Sequence, residues 1–175
     1  MAAPPKAIHH LPPAATITSM LLMVEWARLD EVAAVTSIAK RLSKAENTYS
    51  PVDLAALAVA YAEALGQQEL GADWDRYRPD AFAPTGPTLV EVDLIAAAEA
   101  YGSGDGRFAR ATVEGAMRVY GAIHLVAAAA RVLREAVRFL FPDRPLDRSL
   151  DIAATAIVSQ LDIVNYAIEG GNENE

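Results

Sequence analysis

The chain holds 175 residues, enough for one domain with a sizeable core, and carries a formal net charge of −8. It has no cysteine, which excludes a disulfide framework, thiolate metal ligation and a thiol nucleophile. Its uninterrupted apolar runs, such as Met20–Val24 and Leu125–Ala130, fall far short of a bilayer span, and the acidic balance argues against a generic nucleic-acid coat.

About a fifth of the residues are alanine, which loses no side-chain entropy in a helix and lets helix axes approach closely. The charge is not evenly spread. Residues 1–106 sum to about −7, residues 107–148 to about +4, and the remainder to about −5. An arginine-bearing block between two acidic ones should meet acidic surface, on this chain or on another.

Residues 1–12 form a proline-rich arm of polyproline II character, which also carries His9 and His10. Apolar residues then crowd from Ile17 to Leu29, with Met20, Leu21, Leu22, Met23, Val24 and Trp26 among them. A helix apolar on all sides is expected to be central and buried. The pattern changes phase near Asp30, after which Val32, Val35, Ala39 and Leu42 follow a helical rhythm. Two helices meeting near Asp30, or one bent helix, fit this pattern, and Arg41 and Lys44 suit the negative end of the helix dipole. Ser50-Pro51-Val52-Asp53 is a start signal, with a capping serine, a proline at the first helical position and an acid in the first turn. Leu54, Leu57, Ala58, Tyr61 and Leu65 continue it as one stripe, and Gly66 predicts its end.

The helical pattern dissolves from Gly71 to Pro87, where Trp74, Tyr77 and Phe82 lie among three prolines. Thr88-Leu89-Val90-Glu91 reads as a capping box opening a helix through Val92, Ile95, Ala98 and Tyr101. The glycine-rich run Gly102–Gly106 ends that helix. From Arg107 to Phe141 the sequence again reads as helix for about 35 residues, roughly 50 Å at 1.5 Å per residue. A compact domain of this length should be only about 40 Å across, so the segment must break or outrun its domain, with Gly121 as the place to bend. Pro142 and Pro145 close it. A last helix is predicted from Arg148 to Ile168, with Gly170-Gly171 as its stop. No strand alternation persists beyond four or five residues. The expected fold is all-α: a compact bundle of about six helices with one long Arg-bearing helix. Residues 13–169 would make a single domain between the proline-rich arm 1–12 and an acidic tail 170–175.

Several residues invite a functional reading. The loop at Gly104, followed by Arg107 and Arg110, has the donors of an anion site. It follows a helix, however, where a dinucleotide fingerprint needs a strand. The plainer reading is a helix–helix turn with Asp105 capping the next helix. Arg131, Arg134 and Arg138 lie with Glu135 on one helical face, suited to carboxylate pairing or to phosphate contact. His124, in an apolar stretch, reads as a core or interface histidine. Trp74, Arg76, Tyr77 and Arg78 combine the residue types that dominate interface hot spots. No histidine–carboxylate spacing reproduces a di-iron bundle, and no catalytic residue, metal ligand or cofactor is predicted. Residues 51–65 offer alanines, Tyr61 and Glu63, where a DNA-reading helix would offer Arg, Asn, Gln or Lys.

These features point first to a non-enzymatic α-helical interaction or assembly protein, acting by homo-oligomerisation or by docking into a larger complex. The first alternative is a helical domain binding a small anionic ligand near Gly102–Arg110, with or without catalysis. A nucleic-acid-associated subunit ranks third, because the charge disfavours it. The N-terminal run lacks the apolar core of a signal peptide, so a cytoplasmic location without membrane contact is expected. The Ala, Arg and Asp usage suggests a GC-rich bacterial or phage genome.

Overall fold

The computed structural model describes residues 13–44, 50–70 and 88–159, and among these there are seven α-helices and no strand. They are α1 (Pro13–Arg28), α2 (Glu31–Leu42), α3 (Pro51–Leu70), α4 (Leu89–Gly102), α5 (Gly106–Tyr120), α6 (Ala122–Leu140) and α7 (Leu146–Ser159). The all-α compact bundle expected from the sequence is the fold.

Local chemistry sets most of the boundaries. Asp30 caps α2, its Oδ1 accepting from the Ala33 amide at 2.9 Å, so the chain does form two helices meeting at this residue. Pro51 opens α3, and the Asp53 amide donates to Ser50 Oγ at 3.4 Å. Glu91 closes the box at α4, where its Oε2 accepts from the Thr88 amide at 2.6 Å and from the Thr88 hydroxyl at 2.9 Å. Asp105 caps α5 through the Phe108 amide at 3.0 Å. Two expectations give way. Gly66 does not end α3, which runs on to Leu70; one glycine costs a helix only about 1 kcal/mol. The apolar α1 buries Met20, Met23, Val24, Trp26 and Ala27 but is not the centre, because α3 has every residue from Leu54 to Ala60 buried.

The long arginine-bearing segment is two helices. Gly121, at φ +83°, ends α5 by donating its amide to the Met117 carbonyl at 3.0 Å. It starts α6 by accepting from the Leu125 amide, also at 3.0 Å. α5 then packs on α4, while α6 packs most extensively on α3 and touches all six other described helices. The segment therefore stays within its own bundle. No helix among the described residues is long and apolar enough to cross a membrane.

Candidate functional site

The glycine loop between α4 and α5 is a tight turn. Gly104 sits at φ +84°, and the Asp105 amide donates to the Ala100 carbonyl at 2.8 Å. Arg110 of α5 reaches Asp53 of α3 at 3.0 Å and Glu114 at 3.1 Å. An anion at this loop would have to compete with two carboxylates. Arg107 is exposed. Tyr101 is buried beside this ion pair, and burial pushes its hydroxyl well above the ordinary tyrosine range. His124 is exposed on the first turn of α6 rather than buried in the core. Trp74, Arg76, Tyr77 and Arg78 lie outside the described residues.

The arginine face of α6 is different, because it converges with other elements. Arg131 pairs through Nε with Glu91 of α4 and lies 3.5 Å from Glu31 of α2. Glu91 is buried, 1% exposed, so one carboxylate both caps α4 and faces the guanidinium. Arg134 donates to the Leu29 carbonyl, at the α1–α2 junction, at 3.1 Å. Its Nε is buried 3.9 Å from Glu135, too far for a hydrogen bond, and finds no acceptor among the described residues. Arg138 donates to Glu135 at 3.3 Å. Burial raises the Glu135 carboxyl above its usual range, against the pull of Arg138 and Arg134.

These groups stand at a half-open cavity of about 220 Å³ between α1, α2 and α6. Trp26, Ala27, Leu29, Ala34, Ala127 and Ala130 provide its apolar lining, and Glu31, Arg131, Arg134 and Glu135 its charged one. The Trp26 indole N–H is already satisfied by Ser37 Oγ at 3.0 Å, and its ring lines the cavity from a buried position. Two cations and two anions line the space, an arrangement that offers opposed charges beside apolar surface.

Of the residues singled out by sequence, Arg131 and Arg134 meet here, with Arg138 behind them on Glu135. Gly104 belongs to the α4–α5 turn, and Arg107 and Arg110 to the start of α5. The sequence reading missed Trp26, Glu31 and the alanines as site residues, and saw Glu91 only as a cap. The Arg131–Glu135 spacing of four was a signal for one half of the site. Nothing in local spacing brings α1, α2 and α4 to it. Among the described residues no group of three His, Asp or Glu could hold a metal ion. Comparison of the chain with protein-family models, curated proteins and solved structures finds no match.

Proposed function

We propose that this chain is a small-ligand-binding α-helical domain whose site is the cavity between α1, α2 and α6. The observation that supports it is the placing of Arg131, Arg134 and Glu135 over an apolar wall that includes Trp26. Small-molecule sites combine a mostly apolar concavity with a few converging polar groups. The break at Gly121 also removes the length argument for covering a protruding rod with another molecule.

A thermal-shift screen of polar metabolites against the full chain and Ala127→Leu tests the proposal. A ligand at a hundred times its dissociation constant adds about 2.7 kcal/mol, a shift of several degrees for a chain of this size. The larger side chain at 127 narrows the cavity and should abolish the shift. Absence of any stabilising compound, or a shift that survives in the variant, overturns it.

Assembly with other chains has one specific support of its own. Val32 is 78% exposed and Leu89 74%, and each adjoins, or lies within two residues of, a carboxylate facing Arg131. Val119 is as open as Leu89. Exposed large apolar side chains of this kind mark candidate interaction surfaces. Concentration-dependent mass in sedimentation equilibrium, reduced by Val32→Lys and Leu89→Lys, is the expected sign. A strict monomer counts against self-association. The arginines of a nucleic-acid stripe face carboxylates of their own chain, so that alternative is not carried forward.

A further inference from the structure

We infer that the ligand of this cavity is a small zwitterion, an α-amino-acid-like molecule with an apolar side group. The inference rests on the ligand-binding reading above and adds the chemical class.

The lining holds two guanidinium groups and two carboxylates, so its formal charges already cancel. A lone carboxylate or a lone amine would bring one uncompensated charge into a partly dry space, which is costly. A molecule with both charges leaves the sum at zero and pairs each of its ends. For the ligand carboxylate, Arg131 offers its Nη1 edge, its Nε being held by the buried Glu91. The Nη1 contact with Glu31 is long, 3.5 Å, and the Glu31 side chain is 71% exposed, so that pair contributes little and exchanges readily. Arg134 stands beside it, its guanidinium oriented by the Leu29 carbonyl. For the ligand ammonium, Glu135 is the partner. Its side chain is only 13% exposed, and its hydrogen-bonded cation, Arg138, is half exposed. The apolar group then lies on Trp26 and the alanines. The space is smaller than a drug-sized pocket of about 300–1,000 Å³, which suits a molecule of amino-acid size.

Trp74→Phe leaves Trp26 as the single tryptophan in the full chain, and its emission reports on the cavity. Two matched series serve as probes: leucine, 4-methylpentanoate and 3-methylbutylamine; phenylalanine, 3-phenylpropanoate and 2-phenylethylamine. In at least one series the zwitterion should bind about tenfold more tightly than either single-charge analogue, or more. Glu135→Gln should weaken the zwitterion by a similar factor and leave the carboxylate analogue nearly unchanged. If in each series an analogue binds as tightly as its zwitterion, with binding lost in Ala127→Leu, the class is overturned while the site stands. No change in emission or melting temperature with any probe up to about 10 mM, weaker than the millimolar floor of useful affinity, overturns the class. If the wider metabolite screen is also silent, the site falls with it.

Discussion

Glu91 serves two structures with one carboxylate, satisfying the Thr88 amide and hydroxyl and pairing with Arg131 from a buried position. Removing one partner of a buried pair leaves the other uncompensated, at about 3–5 kcal/mol. Because Arg131 retains Glu31 and partial exposure, Glu91→Ala should fall at the low end, about 3 kcal/mol in urea unfolding. Tyr61 supplies a pH-dependent case. Its hydroxyl donates to the Ala153 carbonyl at 3.2 Å, and burial pushes its pKa up to about 12. The unfolded hydroxyl titrates near 10, so the folded state holds this proton more tightly. The resulting stability is complete below pH 10 and is lost as the pH rises through about 12. Tyr61→Phe should therefore cost about 1 kcal/mol at neutral pH, and chemical unfolding at pH 7 and above pH 10 should show the gap to the parent closing.

Helix boundaries were legible where a side chain makes them. Ser50, Thr88 with Glu91, and Asp105 each hold an amide that the sequence pattern assigns to them, and Asp30 caps α2 where the pattern showed only a change of phase. Glycines were legible less well, because their cost in a helix is small enough for packing to decide. Gly66 and Gly115 stay inside α3 and α5, whereas Gly121 separates α5 from α6. The same residue type gives opposite outcomes, and what distinguishes them is long-range: α5 packs back on α4 while α6 is held by α3. At Gly121 the positive φ excludes an ordinary side chain, although a Cβ there would meet nothing within 4 Å. Gly121→Ala should thus cost about 1–3 kcal/mol from backbone strain alone, measurable as a lowered urea midpoint with an unchanged slope.

At the scale of the molecule, the charge blocks resolve within the chain. Arg28 of α1 reaches Asp151 of α7 at 2.8 Å, Arg110 of α5 meets Asp53 of α3, and Arg131 of α6 meets acids of α2 and α4. The arginines were visible in the sequence, but their partners lie 40 to 123 residues away, a distance that no local spacing encodes. The candidate site was therefore only half legible. Alanine richness, by contrast, translated directly into packing: Ala55, Ala56, Ala58, Ala60 and Ala62 are all buried in α3, the helix most closely packed on α6. Ala58→Leu should cost about 1–3 kcal/mol by overfilling such a core, seen as a lower melting temperature. The double duty of Glu91 has a wider consequence. Whatever draws Arg131 away from it also alters the stiffness of the first turn of α4, so ligand binding and helix fraying at this junction are coupled. Amide exchange at Val90 to Val92 would then act as a gauge of what occupies the neighbouring cavity.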